Sequence, residues 1–145
     1  MNDCARGALG VSAGHNFFGL GARLHHVGLA VQSLAGMAGN ASMIEDPIQD
    51  VRLSFVSING LQFELLEPRS DRSPVAQSVK NNVKLVHVCF EVPDISKALE
   101  CCRPYGFHCI KRPVPAVAFD GRDIAWVYSR IYGLVELLQE EKRAT

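Results

Sequence analysis

The chain lacks an excess of charge of either sign, long apolar runs and paired cysteine motifs. Its 145 residues include 15 basic and 15 acidic side chains, and no run of basic residues exceeds two. Nucleic acids and anionic membranes are therefore poor candidates as partners. No apolar stretch reaches the roughly 20 residues that a membrane-spanning helix needs. We therefore expect neither a nucleic-acid partner nor a membrane segment.

The cysteines do not form a recognisable motif. There are five of them, an odd number, and no CxxC pair. This usage argues against a disulfide framework and against a structural zinc site built from cysteines. It is typical of a reduced, cytoplasmic protein, which is the localisation we predict.

Two segments of the chain resemble each other. Leu24–Val31 recurs as Leu85–Val92, and Phe63–Leu66 recurs as Val135–Leu138. Self-similarity of this kind identifies the structural unit of a fold. The unit here is a half-domain, present twice.

Each half carries one histidine and one glutamate. The repeat pairs His26 with His87 and Glu64 with Glu136. Two facing halves would therefore offer two nitrogen and two oxygen ligands, which is enough for one metal ion. Alternation along the two His-containing strands places each of these histidines on the face with the smaller residues, where a pocket has room. His25 faces the other way in this pattern, and we assign it to packing or to the surface.

The periodicity predicts an α+β fold of two tandem βαβββ modules, about 24–67 and 85–139, in a single domain spanning residues 23–145. Residues 1–22 hold five of the twelve glycines and are predicted to be an N-terminal extension. Asn59-Gly60 is a hairpin signal and Asp94 is a good N-cap. We expect strands at 24–31, 51–58, 61–67, 85–92, 107–111, 116–119, 124–130 and 133–139, and helices near 33–38, at 74–80 and from 95 onward.

The first module is shortened. His26 and Glu64 are 38 positions apart, whereas His87 and Glu136 are 49 apart. The missing residues fall between 32 and 50, where we expect one or two helical turns followed by a loop through Pro47.

Five motifs in order resemble the vicinal oxygen chelate superfamily, which includes glyoxalase I, extradiol dioxygenases and the bleomycin and fosfomycin resistance proteins. Within it the chain is most similar to methylmalonyl-CoA epimerases. The matching segments are His26–Val31, Glu64–Pro68, Ser73–Ala76, His87–Val92 and Gly133–Leu137. The resemblance implies that the two modules form a curved mixed sheet.

The resemblance also implies a metal-dependent isomerase or lyase acting α to a carbonyl, epimerase-like or glyoxalase-like. One divalent ion (Co, Ni, Zn or Mn) would be held by His26, Glu64, His87 and Glu136, leaving two adjacent positions of an octahedron open for a substrate. Glu136 or Glu64 would serve as the base. The substrate would be a small molecule, possibly an acyl-CoA or other thioester, in a pocket that Gln62 and Trp126 could line.

Two features keep an alternative function open. The shortened segment 32–50 and the turn Tyr128–Tyr132 both depart from the epimerase pattern. A non-catalytic protein of the same fold that sequesters a small molecule is therefore the rival hypothesis. In either case the shortened module would leave part of its sheet uncovered, so we expect a homodimer.

Overall fold

A computed structural model describes residues 14–36 and 42–144. Eight strands and two short α-helices account for most of this part of the chain. Within it, no helix is long and apolar enough to cross a membrane. The elements are β1 (Arg23–Ala30), β2 (Ile44–Asp46), β3 (Val51–Ile58), β4 (Leu61–Pro68), α1 (Ala76–Lys80), β5 (Leu85–Val92), α2 (Ile95–Cys102), β6 (His108–Pro115), β7 (Asp123–Ser129) and β8 (Gly133–Gln139), with single 3₁₀ turns at Arg103–Tyr105 and Val117–Phe119.

The strand order confirms the predicted duplication. The strands follow the order β2-β3-β4-β1-β5-β8-β7-β6 in a mixed sheet. Counted from its first strand, each module therefore has the same sequence of neighbours: first, fourth, third and second. In the first module β1 and β4 are parallel, whereas β4 pairs with β3 and β3 with β2 in antiparallel fashion. In the second module β8 pairs with β7 and β7 with β6, again antiparallel.

The strands with clear alternation were predicted almost to the residue, and three other predictions need correction. The loop expected to run through Pro47 contains the strand β2, whose three residues are too few to show a period. The strand expected at 116–119 is a 3₁₀ turn. No helix is present over residues 33–36, and the rest of the helix expected near 33–38 lies outside the described residues.

One compact unit consists, among the described residues, of 14–24, 90–116 and 122–144. Its core forms between α2 and the strands of the second module. Asp94 caps α2 by accepting a hydrogen bond from the Lys97 amide, as its N-cap position predicts. The buried core residues are Phe18, Val92, Ile95, Ala98, Cys102, Phe107, Ala125, Val127, Val135 and Leu137.

Phe17 and Phe18 tie the predicted N-terminal extension to this core. The centroid of the Phe18 ring lies 5.2 Å from that of Phe90 and 5.1 Å from that of Phe107. Phe17 stacks on Tyr105 with the ring centroids 4.3 Å apart. Aromatic pairs at such separations stabilise a core beyond the area that they bury. The described part of the extension thus contributes to the packing of this unit.

The other compact unit consists of the described residues within 25–89 together with 117–121. Its core lies on the face of β1, β3 and β4 that carries Ala30, Leu53 and Leu66. Val51 and Val75 complete the buried cluster. His26 and Glu64 alternate into the same face, so the polar groups of the predicted site adjoin an apolar core.

Cys89, Cys102 and Cys109 form no disulfide bonds. Burial raises the pKa of the Cys102 thiol to about 11, so it stays protonated at neutral pH.

Replacing Phe18 by alanine should lower the free energy of unfolding by about 3 kcal/mol, because it empties a ring-sized volume in a packed core. Leu20 is the matched control, since its side chain is 53% exposed and two residues away. Leu20→Ala should change stability by less than about 0.5 kcal/mol. Urea unfolding of both variants measures the difference, and equal effects would mean that the aromatic contacts do not anchor the segment.

Candidate metal centre

Two neighbouring strands of the first module bring His26 and Glu64 to one face. β1 and β4 are parallel and in a register that sets Gly28 opposite Glu64. Residues two apart on a strand share a face, so His26 lies on the same side as Gly28 and Glu64. His87 reaches this side from β5, where the burial pattern places it inward with Cys89. The three groups that carry the predicted chemistry thus meet on one surface.

The ligand atoms of these three residues form a nearly equilateral triangle. Nε2 of His26 lies 3.0 Å from Oε2 of Glu64, and Nε2 of His87 lies 3.1 Å from the same oxygen. The two nitrogens are 3.1 Å apart. All three residues are buried, with relative exposures of 0% for His26, 3% for Glu64 and 4% for His87.

Oε2 of Glu64 accepts no hydrogen bond from the described residues, although two imidazole nitrogens lie so near. The two imidazoles are hydrogen-bonded to each other through their Nε2 atoms. Burial alone would raise the pKa of the Glu64 carboxyl, but the adjacent His26 and His87 lower that pKa to about 2. The group is therefore ionised at neutral pH. A buried carboxylate with an unsatisfied oxygen is costly unless a cation accompanies it.

The size of the triangle fits a metal ion. Ligands bound about 2.1 Å from one ion lie roughly 3.0–3.4 Å apart. The separations of 3.0 to 3.1 Å between the three ligand atoms are of this size. Imidazole nitrogen with carboxylate oxygen is a borderline donor set that suits Zn, Co, Ni or Mn.

Gly28 provides the space in which the His87 imidazole lies. A Cβ atom at position 28 would come within 2.2 Å of Cε1, 2.4 Å of Nδ1 and 2.6 Å of Nε2 of that ring. These separations are far below van der Waals contact, so residue 28 must lack a side chain while His87 keeps its place. The alternation in the sequence predicts a small residue at position 28. It does not predict that the His87 imidazole occupies the space beside that residue.

Two phenylalanines enclose the His26 ring. Phe119, from the 3₁₀ turn Val117–Phe119, stacks on it at 5.8 Å with an interplanar angle of 21°. Phe55 meets it edge-on at 5.6 Å. Phe119 therefore covers one face of the His26 ring.

His25 departs from its expected position. The strand pattern assigns it to the opposite face, yet its Nδ1 lies 2.9 Å from Nδ1 of His26. Alternation governs the direction of Cβ, whereas Nδ1 is the ring nitrogen nearest the backbone and can approach the adjacent residue. The His25 ring also meets Phe119 edge-on at 5.5 Å. The sequence predicted packing or a surface position for His25, and did not predict this contact with His26.

The other predicted site residues lie on adjoining strand positions. Gln62 is half-buried on β4, two residues before Glu64 and therefore on the same face. Glu136 is buried on β8 in the other compact unit, with a relative exposure of 1%. Trp126 is directly opposite Glu136 in the β7–β8 pair, so the two side chains share a face.

A comparison with protein families places this geometry in context. Residues 25–126 match the model of the glyoxalase/bleomycin resistance protein/dioxygenase superfamily. The chain belongs to this superfamily.

Individual relatives agree with this placement. The chain is 26% identical over 130 residues to an ethylmalonyl-CoA/methylmalonyl-CoA epimerase of Cereibacter sphaeroides, covering 81% of this chain and 97% of the relative. Among solved structures, a hypothetical protein of Bacillus halodurans is 25% identical with a TM-score of 0.71, covering 86% of this chain and 99% of that one. A variant of the Streptomyces coelicolor methylmalonyl-CoA epimerase in complex with 2-nitronate-propionyl-CoA shares the fold at 20% identity, with a TM-score of 0.68 and coverage of 85% and 97%.

Gly28→Ala should destabilise the metal-free protein by about 1–3 kcal/mol, because the added methyl group overlaps the His87 ring. The same change made in a His87→Ala background should cost nothing, because the ring that it strikes is gone. Urea unfolding of the parent, both single variants and the double variant completes the cycle. An equal penalty in both backgrounds would show that the contact does not determine the residue at position 28.

Proposed function

We propose that this protein is a metal-dependent enzyme that moves a proton at the carbon α to a carbonyl, as an epimerase does. The observation that carries the proposal is the buried triangle of His26, Glu64 and His87 with its unsatisfied carboxylate oxygen. Burying three polar groups in this way is unfavourable in an apolar core, whereas a divalent cation would be bound by these same groups. The family membership and the epimerase relatives support the same reading.

We propose Glu136 as the fourth ligand beside His26, Glu64 and His87. Glu136 is the repeat counterpart of Glu64, and the two modules share one strand arrangement. The strand of Glu64 neighbours that of His26, just as the strand of Glu136 neighbours that of His87. A buried carboxylate at this equivalent position is what a site made from two copies of one module requires.

The substrate that we propose is an acyl-CoA or a related thioester. A bound divalent cation would stabilise the negative charge that develops on the substrate oxygen as the α-proton leaves. The chain's own residues must then accept and return the proton. Glu64 is held between two imidazoles, so we assign it first to metal binding and assign Glu136 as the first candidate for the base. Gln62 and Trp126 share faces with Glu64 and Glu136, and on that ground we propose them as lining residues for the substrate.

The test is isotope exchange. In D₂O, the parent loaded with Co²⁺ or Zn²⁺ should exchange the α-proton of methylmalonyl-CoA, followed by mass spectrometry or NMR. Glu136→Gln keeps a ligand oxygen but cannot accept the proton, so exchange should fall by about 10²–10⁴-fold while metal is retained. His87→Ala should lose stoichiometric metal and activity together.

The control is Glu91→Gln, which changes a carboxylate on the same strand as His87 that forms ion pairs with Arg23 and Arg122. It should leave metal content and exchange unchanged. The rival hypothesis of a sequestering protein predicts a different pattern, in which the parent binds a small molecule tightly without metal and catalyses no exchange with any thioester or glutathione hemithioacetal offered.

The homodimer remains a prediction. The sheet ends in the edge strand β6, and Ile110 on that strand is 61% exposed. An edge strand that presents an apolar side chain favours association with a second copy. Sedimentation velocity at tens of micromolar protein should give the mass of two chains, and a single species with the mass of one chain would reject the dimer.

A further inference from the structure

We propose that His25 is a positioning residue that determines which nitrogen of His26 carries the proton. The inference rests on the proposed metal site, in which His26 is a ligand. Its starting point is the separation of 2.9 Å between Nδ1 of His25 and Nδ1 of His26. At that distance one of the two nitrogens donates a proton to the other, so the two rings cannot choose their tautomers independently.

The direction of this hydrogen bond follows from the other side of the His26 ring. A neutral imidazole has one N–H and one lone pair, and a metal takes the lone pair. Nε2 of His26 is the atom that faces Glu64 and His87. For Nε2 to offer its lone pair, the proton must lie on Nδ1, where Nδ1 of His25 can accept it.

The opposite tautomer would obstruct the site. A proton on Nε2 of His26 would lie among the three ligand atoms and would have to be displaced before an ion could bind. With the proton on Nδ1 instead, the lone pair on Nε2 of His26 can accept the hydrogen bond from Nε2 of His87, which lies 3.1 Å away. The acceptor at His25 therefore favours the arrangement that is ready for metal.

Phe119 holds the two histidines in this relationship. It stacks on His26 and meets His25 edge-on, while the two imidazole planes are nearly perpendicular at 80°. Because His26 is fully buried, its ring has little freedom to turn away. A partner that fixes the tautomer of a metal-ligating histidine commonly changes metal affinity by 10- to 100-fold when it is removed.

Asparagine and leucine provide a matched pair of variants. In His25→Asn the side-chain oxygen can occupy the position of Nδ1 and accept the hydrogen bond. In His25→Leu the side chain has nearly the same shape as asparagine but carries no acceptor. His25 is only half-buried, so both variants should fold, which circular dichroism and melting temperature verify.

The first measurement is long-range ¹H–¹⁵N NMR of the imidazoles in the metal-free protein. The parent and His25→Asn should show the His26 proton on Nδ1, and His25→Leu should shift it toward Nε2.

The second measurement is Zn²⁺ affinity by competition with a chelating dye. His25→Asn should bind within a few-fold of the parent, and His25→Leu should bind 10- to 100-fold more weakly. Equal affinity of the leucine variant and the parent, or a His26 proton on Nε2 in the parent, would overturn the assignment. A second bound Zn²⁺ that is lost in Cys89→Ser would also overturn the assignment. Such an ion would be held by His25, His26 and Cys89, whose ligand atoms lie within 4.8 Å of one another. If the parent binds no metal, the proposed function fails, but the NMR measurement still decides the role of His25.

Discussion

The burial of an ionised carboxylate between two imidazoles is the constraint to which the rest of this site is fitted. Two imidazole nitrogens lie about 3 Å from Oε2 of Glu64, and this oxygen accepts no hydrogen bond from the described residues. In an apolar surrounding this arrangement is unfavourable. Rigid neighbours must impose such an arrangement, because free side chains would rotate to satisfy their hydrogen bonds. The strands that carry His26 and Glu64 are directly paired, and aromatic rings and a missing Cβ fix the imidazoles. The packing thus maintains a geometry that a cation would relieve.

Duplication explains how so specific a geometry arises from simple parts. One module supplies a histidine on its first strand and a glutamate on its fourth, and these two strands are neighbours in the sheet. The second module carries a histidine on its first strand and a glutamate on its fourth, His87 and Glu136, at the equivalent positions. The two modules differ in the number of residues between their first and fourth strands, yet each has its histidine and glutamate on those strands. The positions of these side chains therefore do not depend on the length of the loops and helices between the strands. This independence agrees with a superfamily in which one scaffold supports many reactions.

The sequence predicted what depends on long periodic patterns and missed what depends on single contacts. The strands β3, β4, β5 and β8 were located almost to the residue, because seven or eight alternating positions give a clear signal. β2 has three residues and the turn Val117–Phe119 has no period, so neither could be recognised. The contact between His25 and His26 depends on the direction of the His25 side chain, and the need for glycine at position 28 depends on a ring from another strand. A single sequence specifies neither directly. Repeat symmetry, by contrast, predicted that His26, Glu64 and His87 act together, and their ligand atoms lie 3.0 to 3.1 Å apart.

The ring that covers His26 has a consequence for the order in which the site can form during synthesis. Phe119 belongs to a five-residue segment, 117–121, that packs with residues 25–89 although twenty-seven residues of the other unit come between them. As the chain leaves the ribosome, the strands that carry His26, Glu64 and His87 are complete long before this segment appears. Until then His26 lacks the stacking ring that shields it, and a long loop must close before the contact can form. The nascent first module would therefore present its polar groups to water until residues 117–121 have been synthesised and have packed against it.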